Sequence, residues 1–175
     1  MAGQRDEIST DTAIQTLPGH ERRATLRALK IWNAGRQDNN MPYLSDLTAR
    51  ANLAEEHEVF AENQFLILFE AATSNSVVIF YGSELPNLLF RRNVGNNLQQ
   101  NLPAALKGIF FSACMEAVNT GEAVYRHGKI STSFGGGVLY RSIFMPLRSG
   151  NHSDRIYIFG AFSNEEGGGE LLAAA

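Results

Sequence analysis

The chain has a single cysteine, Cys114, and that scarcity removes two ways of holding a fold together. One thiol makes no internal disulfide and no multi-cysteine zinc site, so stability must come from packing, as suits a reducing cytoplasm. An excess of charge of one sign is also lacking. Fifteen Lys and Arg stand against 18 Asp and Glu, a formal net charge of −3 with no global field to draw nucleic acid or anionic lipid. Long hydrophobic runs are missing as well: stretches such as Val77–Tyr81 and Ile109–Phe111 fall far short of the roughly 20 residues of a spanning helix. The opening MAGQRDEISTDTAIQ carries early charge and no apolar core, which excludes a secretory signal. Together these absences predict a soluble, cytoplasmic protein that binds neither nucleic acid nor membrane.

What is present is a balance that folds. With 175 residues, 44% of them hydrophobic and 19% charged, the chain has material for one domain with a proper core and not for two. Residues 1–19 end in Leu17-Pro18-Gly19 and read as a flexible leader, followed by N-terminal helices over 20–62. The first of these runs from His20 to about Gly35, with Leu26, Leu29 and Trp32 spaced between Arg22, Arg23, Arg27 and Lys30. A second is expected after a Ser45 or Asp46 cap, carrying Leu47, Ala51 and Leu53. Phe65–Phe69 and Val77–Tyr81, joined by a small polar turn, predict an antiparallel hairpin. Glu84 to Asn97 is broken by Pro and Gly into short helical turns. Pro103 opens a helix that runs to about Asn119 and stops at Thr120-Gly121. Three strands follow, Ala123–Ser131, Gly137–Leu147 and Ile156–Phe162, with Gly135-Gly136-Gly137 and Ser149 to Asp154 as turns. The remainder, 164–175, reads as a frayed tail. Two strands, a helical middle and three strands make one α+β domain over 63–163, a five-stranded antiparallel sheet with helices on one face.

Particular residues carry a resemblance beyond this order. Trp32, Gly35, Met41-Pro42 and Asp46 precede the sheet. Asn63-Gln64-Phe65-Leu66, Tyr81-Gly82-Ser83-Glu84-Leu85, Tyr140-Arg141-Ser142-Ile143-Phe144-Met145-Pro146-Leu147 and Tyr157-Ile158-Phe159-Gly160-Ala161-Phe162 lie within it. In order and texture the chain resembles the PAS fold, and more closely the single-domain PAS proteins common in alphaproteobacteria. The resemblance implies a sensory or protein-interaction module of signal transduction, with no attached output domain and no enzymatic activity. It implies action through a homodimer or a signalling partner protein, with a small-molecule ligand as a further expectation. Flavin-binding photosensory PAS domains carry a Gly-Arg-Asn-Cys-Arg-Phe-Leu-Gln stretch. The nearest stretch here, Asn93 to Gln100, has no cysteine, so flavin photochemistry is not supported.

The ligand-pocket candidates are Phe65, Ile67, Phe80, Phe110, Cys114, Tyr140, Arg141 and Phe144, drawn from the strands and the long helix. The aromatic residues among them suit a planar or greasy ligand and equally suit a filled core. Cys114, mid-helix with no basic neighbour within a turn, reads as a small buried hydrophobe sooner than a redox sensor. Strand alternation sets Tyr140, Ser142, Phe144 and Pro146 on one face and Arg141, Ile143, Met145 and Leu147 on the other. Arg141 suits an anionic ligand or an ion pair with Glu70 or Glu84. The four histidines are dispersed and absent from the long helix, so neither haem nor a metal site is supported, and the cofactor stays unknown. Leu26, Leu29 and Trp32 are the candidates for a dimer or partner helix, whose other role is to cover the open sheet face. No motif of hydrolytic chemistry is present, and no catalytic residue is assigned. Two alternatives stand beside the sensory reading: a haem or flavin sensor, and a small cone-shaped α+β isomerase or hydrolase using Arg141, Tyr140, Glu70 and His127.

Overall fold

A computed structural model describes residues 21–38, 40–53, 62–70, 75–85, 89, 97–131, 137–150 and 155–164. The leader, the tail, most of the irregular segment after Gly82 and the Gly135-Gly136 turn lie outside them. Two helices come first, α1 (Glu21–Gly35) and α2 (Leu44–Leu53). The cap of α2 sits earlier than the sequence suggests. Tyr43 precedes the helix and its backbone N–H donates to Asp46 Oδ2 at 3.1 Å, so Asp46 closes the first turn from inside instead of opening it. Between the helices, Asp38 takes a left-handed φ of 52°, a turn conformation that a short polar side chain tolerates. Gly35 is pressed against the α2 connection: a Cβ there would lie 3.1 Å from Leu47 and 3.2 Å from Pro42.

The sheet holds β1 (Gln64–Phe69), β2 (Val77–Tyr81), β3 (Val124–Ser131), β4 (Gly137–Arg148) and β5 (Ile156–Asn164), in the order β2-β1-β5-β4-β3. Every neighbouring pair is antiparallel. Between the hairpin and the last three strands lie a short helix α3 (Leu98–Asn101) and the long helix α4 (Ala104–Thr120). Asn97 caps α3 by accepting from Gln99 N–H at 2.8 Å, and Pro103 sits just ahead of α4. Gly121 ends α4 in the left-handed region at φ 72°, its N–H reaching Ala117 O at 2.9 Å. The hairpin is fastened at its turn end by Ser76, which is buried, donates to Glu70 O at 3.1 Å and accepts from Glu70 N–H at 3.0 Å.

The sheet is covered by α4 on one face and by the N-terminal helices on the other. Against α4 lie Phe65, Ile67 and Phe69 of β1, Val78 of β2, Phe144 of β4 and Ile158 and Phe162 of β5, with Leu106, Phe110, Ala113, Cys114 and Ala117 from the helix. Against α1 and α2 lie Leu66, Ile143, Met145, Leu147, Phe159 and Ala161, meeting Ala28, Trp32 and Leu47. Period-two alternation explains the split, since each central strand is apolar on both sides. The N-terminal helix thus takes the covering role that its apolar stripe allowed.

Pro146 sits inside β4 without breaking the sheet. β3 pairs with β4 only from Val124 opposite Phe144 back to the hairpin, so beyond Phe144 the outer side of β4 has lost its neighbour. Proline is tolerated at such an edge. The N-terminal segment takes the vacated side. Trp32 indole N–H donates to Pro146 O at 2.9 Å, and Arg148 N–H donates to Pro42 O at 2.9 Å.

Candidate functional site

Six of the eight pocket candidates meet on the α4 face: Phe65, Ile67, Phe110, Cys114, Tyr140 and Phe144. Their centre is built over a glycine. Phe65 of β1 and Phe144 of β4 are the cross-strand partners of Gly160 on either side of β5. With no side chain between them, the two rings approach to 5.7 Å, and the Phe110 ring from α4 meets Phe144 edge-on at 4.8 Å and 89°. Such tilted and T-shaped geometries match the ring quadrupoles. A second glycine does the same at the outer strand. Tyr140 lies across Gly128, its cross-strand partner, and stacks on Phe162 at 5.7 Å and 7°. Burial pushes the Tyr140 phenol above its ordinary range, the Arg126 charge pulling the other way, so it stays a neutral O–H. Arg126 itself is ion-paired with Glu116, which ties β3 to α4.

Cys114 is fully buried in this face, and burial alone pushes its thiol pKa well above the usual cysteine range. A thiol so placed packs as a hydrophobe. The two remaining pocket candidates face the other way. Phe80 packs in the α1-side cluster, because the register between β1 and β2 shifts between Leu66 and Ile67. That bulge leaves Ile79 exposed and turns Phe80 to the face opposite Val78. Arg141 alternates with Tyr140 and shares the face of Ile143, as the strand pattern predicts, so it is separated from the aromatic interior by the sheet itself.

The helix candidates also divide. Trp32 is 1% exposed and bonded into the fold, Leu29 packs against the α1-side core, and Leu26 is 37% exposed. Arg36, just past α1, lays its guanidinium 4.6 Å from the centre of the Trp32 ring. It bonds Glu122, the residue after the α4 cap, through two N–H···O contacts of 2.8 Å each. This bidentate bond holds the Glu122 carboxyl below and the Arg36 guanidinium above their ordinary ranges. Neither residue stood out in the sequence, where 86 positions separate them.

The four residues of the enzyme alternative do not assemble in one cleft. Tyr140 is on the α4 face, Arg141 and His127 pair across β4 and β3 on the other, and Glu70 is exposed at the end of β1. Among the described residues, no group of three or more His, Cys, Asp or Glu could hold a metal ion, and no helix is long and apolar enough to cross a membrane.

No family model matches the chain, and no curated protein matches it. Among solved structures, it is similar to a substituted form of the Drosophila melanogaster Cycle PAS-B domain with bound glycerol, at 10% identity and TM-score 0.39, covering 58% of this chain and 99% of that one. The wild-type Cycle PAS-B with bound ethylene glycol aligns at 14% identity and TM-score 0.35, with the same coverage of 58% and 99%. A fungal LOV domain photoreceptor aligns at 12% identity and TM-score 0.41, covering 80% of this chain and 91% of that one. These are likenesses of fold. The antiparallel order β2-β1-β5-β4-β3, with the helical segment between β2 and β3, makes this an α+β domain of PAS-like architecture.

Proposed function

We propose that the chain is a sensory or protein-interaction module of signal transduction, acting through a homodimer or a partner protein. The observation that carries this reading is the arrangement of its two faces. One face of the sheet gathers Phe65, Phe110, Tyr140, Phe144 and Phe162 under α4 in a buried aromatic cluster. The other carries α1, whose outer surface shows Leu26, Arg27 and Lys30. The two are joined through Arg36 and Glu122, which link the end of α1 to the end of α4. A shift of α4 therefore reaches an outward-facing helix by way of a bond and a packed Trp ring. The partner surface is α1, with Leu26 at its centre and the basic residues favouring an acidic face opposite. The protein acts in the cytoplasm.

Sedimentation velocity of the full chain, with intact-complex mass spectrometry and an absorption scan, tests the reading. The expected result is a dimer, or a stable complex in affinity capture, that Leu26→Glu weakens. A strict monomer with no captured partner, unchanged by Leu26→Glu, sinks it. Visible absorbance from haem or flavin would favour the coloured sensor instead.

A further inference from the structure

Strand edges carry rows of backbone donors and acceptors, and this fold meets most of its own. On the outer side of β2, Val77 bridges to Asn97, and Ser76 O accepts from Leu98 N–H at 2.8 Å. The stretch of β4 beyond Phe144 is taken by Trp32, Pro42 and Tyr43. β3 is different. It ends the sheet order, pairs with β4 on one side, and has no strand on its outer side among the described residues. Its eight residues are long enough to pair with a further strand.

Parity decides which backbone groups of β3 look outward. Residues of an antiparallel pair alternate between positions that exchange both backbone bonds and positions that exchange none. Ile143 O lies against Gly160 of β5, so the odd residues of β4 face β5. The even residues face the β3 side, as Trp32 on Pro146 O and Arg148 N–H on Pro42 O require. Ser142 accordingly reaches across to Arg126 O, its hydroxyl donating at 3.3 Å. Arg126 is opposite Ser142 and Gly128 opposite Tyr140, so the even residues of β3 bond β4. Tyr125, His127 and Lys129 then turn their N–H and C=O groups outward. Arg126 covers one of these, its guanidinium donating to Tyr125 O at 2.8 Å. Those of His127 and Lys129 have no partner among the described residues.

Charge selects what can lie there. β3 carries Arg126, His127 and Lys129 and no acid. Glu116 and Glu122, the acids that meet or precede the strand, are ion-paired with Arg126 and Arg36. The His127 and Lys129 side chains are exposed. A second copy of the chain is a poor match for this edge. Every antiparallel register of β3 on itself centred from Arg126 to Lys129 sets basic side chains across from one another or in adjacent pairs, which is unfavourable. An acidic strand has the opposite effect, since its alternate side chains lie about 5 Å from those of His127 and Lys129. On the other face, Gly128 presents no side chain and the Tyr140 ring lies across it, a platform for an apolar residue. We propose that the outer edge of β3 is a docking site for an extended acidic segment of a partner protein, which adds to the sheet as a sixth strand. This surface is separate from α1 and does not depend on Leu26.

The probe is a synthetic peptide, acetyl-Thr-Glu-Val-Glu-Val-Glu-Thr-amide, titrated into the full chain, with the same peptide carrying Lys in place of Glu as the charge control. Amide hydrogen exchange is read residue by residue. Saturable slowing is expected at the His127 and Lys129 amides, with little change at Gly128 and Ile130, which already bond β4, and no response to the Lys peptide. His127→Pro removes one outward N–H at an edge where proline is tolerated and should weaken binding about tenfold. Lys129→Glu should weaken it about fivefold and turn the preference toward the Lys peptide. Unchanged exchange across α4 shows that each variant is folded. Absence of saturable slowing at His127 and Lys129 overturns the proposal, as does equal slowing by both peptides. Slowing of these amides that grows with protein concentration in the absence of peptide assigns the edge to a second copy and overturns it as well.

Discussion

Gly160 is the residue on which the aromatic interior turns. A Cβ at this position would fall 2.3 Å from Phe65 Cζ and 2.4 Å from the backbone oxygen of Ile143. A ring can swing aside, but the oxygen belongs to the neighbouring strand and moves only with it. Gly160→Ala should therefore destabilise by about 1–3 kcal/mol, read as a lower urea midpoint at unchanged slope. An unchanged midpoint would mean that Phe65 does not occupy the space over the glycine. Cys114 offers a second test at this scale. Burial holds it in the thiol form, and the thiolate is the reactive species, so a disulfide reagent should leave the native protein untouched at neutral pH. The same reagent should titrate the single thiol fully in denaturant. Rapid native labelling would show that α4 opens far more often than its packing suggests. The sequence made the aromatic residues visible as candidates, but not the glycines beneath them. Gly160 and Gly128 carry no signal of their own in the sequence, because what marks them is a ring contributed from another strand.

Elements were easier to foresee than the sides they present. The hairpin, the long helix and the last three strands follow from apolar periodicity and from Pro and Gly at their ends, and the structure pairs them as that pattern implies. Strict alternation along β4 also separates Phe144 from Arg141 correctly. The same rule fails along β2, where a bulge inserts one residue and carries Phe80 to the α1 side. Nothing in Val77-Val78-Ile79-Phe80-Tyr81 announces that bulge; it depends on the register against β1. The attachment of α1 depends on a similar nonlocal fit. Its Trp32 indole supplies the hydrogen bond that the Pro146 carbonyl lacks once β3 has ended. Trp32→Phe keeps a ring in the core but leaves that buried carbonyl unmet, at a cost of about 1–3 kcal/mol. Amide hydrogen exchange should then accelerate first across α1 and in β4 around Leu147 and Arg148, with α4 protected as before. Equal acceleration throughout would mean that α1 and the sheet open as one unit.

At the scale of the whole molecule, the sheet is a partition with a helix layer on each side, and the Arg36–Glu122 bond joins those layers around its end. Its strength is bounded by exposure. Arg36 is 15% and Glu122 58% accessible, so water screens the pair, and removing it should cost about 0.5–1 kcal/mol at neutral pH. The pH dependence carries a definite sign. Glu122 has its folded pKa depressed by the Arg36 bond, so the charged form is favoured by folding. Its contribution is present in full above the carboxyl pKa of the unfolded chain and disappears as pH falls through the lower folded value. Urea midpoints of the wild-type chain and of Glu122→Gln, measured from neutral pH downward, should therefore differ most at neutral pH. They should converge once the pH passes below the usual carboxylate range. Arg36 keeps its charge throughout that window, so the convergence reports Glu122 alone. Because the bond ends on α1, its loss should also raise amide exchange in the last turn of that helix under the same conditions. A midpoint difference that is flat with pH, together with unchanged exchange at Asn33 to Gly35, would show that the two layers are held together by Trp32 packing and not by this bond.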